Sequence, residues 1–486
     1  MFNFGTGTAT AEQMVRVGAE NILTDEEFIV AEIKRFLASK RRRDMIDGDR
    51  YYRGDHDILW AKRTMIGAGG ELEEVKNLPN NRIVDNQYKR MVNQKTNYLL
   101  GQPVSVQTED KKYAELLSGV FDKRFQRQIK NVGRDSFNCG LGWLFLYYDE
   151  QGQLSFRKLN PFELIPGWSN EEHTLLDYAI RIFEAIVFEG KEEKTVHKIE
   201  VYHLGGIHRF VYDTGRLIPD EVSYEPYFII GEDGYNWERI PLIAFKRDST
   251  EIPLINCVKS LQDGLNRILS TFENHMEEDA RNTILVLVNY SGTDLGEFRR
   301  NLAEVGVVKV ESHSEGKGDV KTLTVEVNAE NYKAILEIFK RAIIENAMGF
   351  DAKDLRMTGN PNQMNIQSMY SDIDLDANEM ETEFQAAFED LLWFINIHLT
   401  NTGQGDFDST PVDVIFNRDM LMSESEIITN VRNLVGLLPT KFLIGQIPWV
   451  DDPEAVYQEL LKERGEAQDP YEGTLNEHGG TANEDA

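Results

Sequence analysis

The sequence predicts an α+β protein of several domains, on three observations. Alternating apolar and polar stretches between 177 and 247 are punctuated by Gly, Asp and Pro; long segments with a helical apolar period take over at about 250; and 486 residues exceed one ordinary compact domain. A composition of 41% hydrophobic and 28% charged residues, with a mean hydropathy of −0.43, suits a well-solvated soluble chain with a sizeable core.

Residues 24 to 47, TDEEFIVAEIKRFLASKRRRDMID, are expected to form one helix, with Thr24 as N-cap, Glu27 three positions on, and Phe28, Ile29, Ile33, Phe36 and Leu37 along its apolar side. Its KRRRD end, Lys40 to Asp44, then places cations in the last turns, where the helix dipole favours them. YYRGDHDIL reads as turns leading to a Gly-rich loop at IGAGGELEE. From 80 to 104, NNRIVDNQYKRMVNQKTNYLLGQPV carries Ile83, Val84, Tyr88, Met91, Val92, Tyr98 and Leu99 at mostly helical spacing and stops at Gly101 and Pro103. A second helix is expected near 111 to 139, followed by a hairpin of the strand WLFLYYDE, the turn EQGQ and the strand LSFRKLN.

The character changes at STEIPLINCVKSLQDGLNRILSTFENHMEED. Pro253 lies near the first helical position, and Leu254, Val258, Leu261, Leu265, Ile268, Phe272 and Met276 recur every three or four residues, which makes one long amphipathic helix. A small α/β module follows, with the strand TILVLVNY, the short helix DLGEFRRNLAEV and the strands GVVKVE and VKTLTVEV. AENYKAILEIFKRAIIENAMG returns as a second helix with Gly349 as its C-cap. The breaker-rich GFDAKDLRMTGNPNQMNIQ comes next, and beyond it Ile366, Met369, Ile373, Met380, Phe384, Phe388, Leu391 and Ile395 hold helical spacing for about 35 residues, or ~50 Å. Residues 401 to 412 read as a loop, 423 to 464 as short helices, and 465 to 486 as a polar, acidic, disordered tail.

The net charge of −30 restricts the function classes. Such a chain repels polyphosphate on average, so any contact with DNA must be local or transient. The longest apolar runs, WLFLYY and TILVLV, fall far below the ~20 residues of a bilayer-crossing helix. MFNFGTGTATAEQM lacks the features of a secretory signal, and two cysteines, Cys139 and Cys257, make neither a disulfide framework nor a thiolate metal site; a reducing cytoplasm is the expectation.

Chemical motifs point away from an enzyme. LFLYYDE imitates the acidic strand of an ATPase, but no G-x-x-x-x-G-K-[ST] loop occurs, and SEGKGD around Lys317 lacks the upstream glycine and the hydroxyl, so Asp149 and Glu150 read as the start of a hairpin turn. Asp372, Asp374, Asp376 and Glu383 match positions 1, 3, 5 and 12 of a calcium loop, yet Ala377 stands where that loop turns on glycine, and a solvated acidic helix face is the simpler reading. His197, His203 and His208 lie on predicted strands without the spacing of a zinc site. No catalytic, cofactor-binding or metal-binding residue is assigned.

The order of parts, together with NNRIVDNQYKRMVNQKTNYLLGQPV (80 to 104), NCGLGWLFLYYDEQGQLSFRKLNPFELIPGW (138 to 168) and STEIPLINCVKSLQDGLNRILS (249 to 270), resembles tailed-bacteriophage portal proteins, of the type found in long-tailed phages of Gram-positive bacteria. The likeness covers most of the chain. It implies a portal-type ring subunit with a sheet-rich wing (1–249), stem helices (250–282 and 329–350), a small α/β clip (283–328), a tunnel loop (351–364), a long spine helix (365–400) and a helical crown (401–464), ahead of the 465–486 tail. The implied assembly is a homo-oligomer of twelve subunits, or thirteen when free, at one capsid vertex. Double-stranded DNA passes through it, the terminase large subunit docks during packaging, a head-completion or adaptor protein docks afterwards, and scaffold and major capsid protein surround it. The implied location is the virion, with host cytoplasm during assembly; no membrane and no cofactor are involved.

On this reading Lys353, Arg356, Asn360, Asn362 and Gln363 belong to the DNA-contacting loop, and Asp294, Arg299 and Arg300 to the partner-binding clip. The plainer alternative for Lys353 and Arg356 is pairing with Asp351 and Asp354. The rival functions are a packaging-motor enzyme, an ATPase or nuclease, and a head-tail adaptor ring without DNA-contacting loops.

Overall fold

The computed structural model describes residues 25–66, 70–75, 78–189, 191–279, 284–288, 319–323, 329–351, 363–418, 424–445, 447, 450 and 453–467. Two helices, α1 (Asp25–Ala38) and α2 (Lys40–Arg53), stand where the apolar period predicts one. Ser39 between them is extended, and its Oγ accepts from Arg42 N at 3.1 Å, the capping bond that starts a new helix. Lys40 to Arg43 therefore open α2 instead of closing a longer helix, and the dipole disfavours them there. Side-chain partners compensate: Lys40 pairs with Asp44, Arg41 with Glu251, and Arg42 Nε donates to Phe162 O at 3.0 Å.

A 3-10 turn (Asp57–Trp60) and the short hairpin of β1 (Thr64–Ile66) and β2 (Leu72–Glu74) lead to α3 (Gln87–Leu100). Asn86 caps α3 by accepting from Lys89 N at 2.8 Å, so Ile83 and Val84 lie outside the helix that the sequence assigns them to. After β3 (Ser105–Gln107), the helix expected over 111 to 139 is also two, α4 (Lys111–Val120) and α5 (Lys123–Cys139). The cause is Asp122, whose Oδ1 accepts from Arg124 N and Phe125 N, both at 2.8 Å.

The hairpin of β4 (Leu141–Tyr148) and β5 (Leu154–Leu159) forms as predicted, and Asp149 Oδ1 holds its turn by accepting from Gln151 N at 3.0 Å and Gln153 N at 2.8 Å. β6 (Leu164–Trp168), β7 (Leu176–Glu189), β8 (Glu192–His203), β9 (Gly206–Asp213) and β10 (Arg216–Glu225) make an antiparallel meander in the order β10-β9-β8-β7-β6. Period-two alternation puts Ile180 and Ile182 on one face, where they join Ile165, Ile199 and Leu217 under Ile29, Ile33 and Phe36 of α1. A small hairpin, β11 (Phe228–Ile230) with β12 (Asp233–Tyr235), precedes β13 (Leu242–Lys246), which pairs with β4.

α6 (Ile255–Asp279) is the long amphipathic helix. β14 (Ile284–Val288) pairs antiparallel with β15 (Asp319–Leu323), and α7 (Ala329–Asn346) returns against α6. The other expected parts of the module, the helix over 294–305 and the strand over 306–311, lie outside the described residues. Gly264 opposes Phe339, and Phe272 meets Tyr332 with ring centroids 4.9 Å apart, so the two helices run antiparallel. The close approach needs glycine: a Cβ at 264 would sit 2.4 Å from Phe339 Cε1.

α8 (Gln363–Asn401) has 39 residues, ~58 Å at 1.5 Å each. Its Phe384 and Phe388 meet Phe245 of β13 at 5.0 and 5.7 Å between ring centroids, and Phe388 meets Phe125 of α5 at 6.0 Å. All four rings are buried, each contributing ~1.5–3 kcal/mol. The loop after α8 runs into a strand that the sequence does not announce, β16 (Asp413–Ile415), paired with β3. Two compact units divide the chain, one of residues 1–350 with 372–419 and one of 351–371 with 420–486; in the second, α9 (Glu424–Leu434), α10 (Thr440–Gly445) and α11 (Pro453–Ala467) are the short helices expected there.

Candidate functional site

The described residues on which the 352–362 segment is mounted form the candidate site. Its foundation is a polar stripe on α6. Gln262, Asn266, Ser270 and Asn274 recur every four residues and so share one face of the helix. They accept in turn from the backbone N–H groups of Tyr88 at 3.0 Å, Asp85 at 3.0 Å, Ile83 at 2.9 Å and Asn81 at 2.7 Å. The 81–85 segment belongs to neither helix nor strand, so its donors would otherwise be orphaned; the stripe pairs them. Gln262 Nε2 also returns a bond to Asp85 O at 2.8 Å, and Lys340 of α7 pairs with Asp85 at 2.7 Å. The chain entering α3 is thereby fixed to both α6 and α7.

α3 in turn holds the end of α7. Gly349 N donates to Ile344 O at 2.8 Å and Met348 N to Glu345 O at 3.0 Å, the paired bonds of a helix stop in which Met348, at φ 50°, takes the left-handed position that the sequence reading assigns to Gly349. Gly349 is needed for another reason: a Cβ there would lie 2.6 Å from Met91 Sδ of α3. Gln94 grips the next residue twice, accepting from Phe350 N at 2.8 Å and donating to Phe350 O at 2.7 Å. The backbone is thus bound up to the residue before Asp351.

Lys95, one position on, joins α3, α7 and α8. Its Nζ donates to Met348 O at 2.9 Å and to Asp376 Oδ2 at 2.7 Å, while Arg247 donates to Asp376 Oδ1 at 3.1 Å. Burial pulls the Lys95 ammonium below its usual range, against the raising effect of Asp376. For Arg247 burial also lowers, but Asp376 and Asp248 outweigh it and the guanidinium is raised. Two residues earlier, Asp374 accepts from Tyr98 and, at 3.2 Å, from Arg418. Of the α8 acids read as a solvated face, Asp372 is exposed as expected, whereas Asp376 is buried and paired with Lys95 and Arg247, and Asp374 is half-buried and paired with Arg418. Asp374 and Asp376 point to different partners, and no group of three metal-ligating side chains occurs among the described residues.

Of the sequence-predicted site residues, Lys353, Arg356, Asn360 and Asn362 lie outside the described residues, as do Asp294, Arg299 and Arg300. Gln363 is the first residue of α8. His203 and His208 stack at 4.9 Å between centroids, with burial and its neighbour holding His203 below its usual pKa. His197 faces Tyr212 across the strand pair. The sequence reading missed Gln94, Lys95, Arg247 and the α6 stripe. The one available signal was Gln262 and Asn266 falling inside the apolar face marked by Val258, Leu261 and Leu265.

A family model described as phage portal protein, SPP1 Gp6-like, matches residues 38–470. The portal protein of Bacillus phage SPP1 is 24% identical over 486 residues, covering 98% of this chain and 94% of that protein. The portal protein of Clostridium phage phiCD119 is 26% identical over 436 residues, covering 87% of this chain and 93% of that protein.

Proposed function

The chain belongs to the phage portal protein family, SPP1 Gp6-like, and from that premise we propose how its parts divide the work of a portal. A portal is a ring at one vertex of the capsid, a structural assembly through which the genome is packaged and later ejected. In this reading twelve copies close the ring, with residues 1–249 as the wing, α6 and α7 as the stem, 283–328 as the clip and α8 as the spine. The clip, with Asp294, Arg299 and Arg300, meets the terminase large subunit during packaging and a head-completion protein afterwards.

The loop at 351–364 faces the channel, where Lys353 and Arg356 touch DNA phosphates in passing. The observation that carries this is the anchoring of both its flanks: Phe350 is held by Gln94, and Asp376 by Lys95 and Arg247. Residues between two fixed roots can reach into a channel without loosening the wall. The net charge of −30 per chain favours passage over adhesion, because an acid-rich wall repels a polyanion. Neither a hydrolytic activity nor a bound cofactor has a part in the reading. Electron micrographs of the purified protein viewed down its axis test it: a closed ring with a central hole is expected, and monomers at every concentration overturn it.

A further inference from the structure

β7 and β8 continue beyond the sheet that contains them. β6 pairs with β7 only as far as Arg181, and β9 pairs with β8 only from His197 on, yet the β7–β8 ladder extends through Ile186 opposite Thr195 and Phe188 opposite Glu193. The result is a two-stranded ribbon with no third strand on either side among the described residues. Period two puts Ile186 and Phe188 on one face, 62% and 70% exposed, with Glu193, the cross-strand partner of Phe188, exposed on the same face. A lone hairpin is marginal in water, and large apolar side chains at its tip call for a cover.

A surface of opposite character lies at the α1–α2 junction, the basic stretch that the portal reading leaves without a role. Leu37 is 37% exposed there, between Lys34 and Arg43, neither of which makes an ion pair among the described residues. Beside it opens a cavity of about 390 Å³ lined by Leu37, Arg42, Phe162 and Phe183, large enough for an aromatic ring. The root of the ribbon, Glu184 and His197, borders the same cavity. Phe188 is four residues further out, ~13 Å along the strand, so the ribbon leads away from the cavity of its own chain.

We propose that the β7–β8 ribbon docks on the α1–α2 junction of an adjacent copy, with Phe188 filling its Leu37 cavity and Glu193 facing its Lys34 and Arg43. The occupant is a second copy of this chain, on two grounds. On its Phe188 face the ribbon tip carries Glu193 beside apolar Ile186 and Phe188, while Lys194 lies on the other face; that face complements the basic, apolar junction, and a cyclic ring requires each subunit to present two different, mutually fitting surfaces. The proposal rests on the ring reading above.

The test is a cross-link in purified rings. Leu37→Cys with Phe188→Cys, in a Cys257→Ser background because Cys257 is exposed and Cys139 buried, should give under mild oxidation a ladder of covalent oligomers on a denaturing gel; neither single variant should. Glu193→Lys should raise the protein concentration needed for half-assembly at least tenfold, and adding Lys34→Glu with Arg43→Glu should restore it. Intact rings by native mass spectrometry with no ladder, or charge reversal without effect on assembly, overturn the contact and leave the ring reading standing. Ribbon variants that form normal rings but do not enter capsids would assign the ribbon to the shell, and so also overturn it. A wild-type chain that never forms rings removes the ring reading and the contact with it.

Discussion

Lys95 and Asp376 form an ion pair at 2.7 Å with side chains only 1% and 6% exposed, across 281 positions of sequence. Removing one partner of a buried pair strands the other, at ~3–5 kcal/mol. The two partners are not equivalent. Lys95→Met leaves Asp376 its bond from Arg247, whereas Asp376→Ala takes the shared carboxylate from both cations, leaving buried Lys95 with only the carbonyl of Met348 and Arg247 with Asp248 and Ile252 O. Asp376→Ala should therefore be the more destabilising, by ~1 kcal/mol or more in urea unfolding. Equal losses would mean that Arg247 does not share the load.

The α6 stripe predicts a graded series. Asn266 is fully buried and bonds Asp85 N, Gln262 Nε2 and His56 Nδ1, so Asn266→Ala leaves several buried groups unpaired and should cost ~2–4 kcal/mol. Asn274→Ala, at the half-buried end of the stripe, should cost less than ~1 kcal/mol. Hydrogen exchange checks the assignment: the Asp85 amide should lose protection in Asn266→Ala while amides of α8 keep theirs. Unchanged Asp85 protection would contradict it.

Acid should loosen the same region through His56. Its Nε2–H donates to Tyr51 O at 3.1 Å and its Nδ1 accepts from Asn266 Nδ2 at 2.8 Å, which fixes the neutral ring. Burial lowers its pKa from the usual 6.5, against weaker raising effects that include Tyr51 O and Asp263. Above 6.5 neither state binds the proton; below it the unfolded chain does and the folded chain does not, so stability falls as pH drops from 6.5 toward the folded-state pKa. The slope of unfolding free energy against pH in that window should be shallower in His56→Gln than in the parent chain. Identical slopes would assign the acid sensitivity to other groups, such as His203 and His398, which burial also lowers.

Much of the fold could be read from period and punctuation. Val258, Leu265 and Phe272 on α6, and Phe384 and Phe388 on α8, repeat at helical spacing because each faces a packed neighbour, and Asp149 announces its turn by side chain. The breaks at Ser39 and Asp122 escaped because the apolar period runs past both residues; what stops the helix is a local cap that competes with it. Asp376 departs from the solvated face for a different reason. Whether Asp376 faces water or Lys95 depends on a helix 281 positions away, and residue spacing carries no such information. The Lys95 clamp and the α6 stripe were illegible for the same cause, since each joins segments far apart in sequence.

The proposed channel role of residues 351–364 is where the portal reading is most open to test. Packaged DNA per particle should be measured for Lys353→Ala with Arg356→Ala alongside native mass spectrometry of the purified rings. The account predicts intact rings and reduced DNA content; intact rings that package a full genome would contradict it.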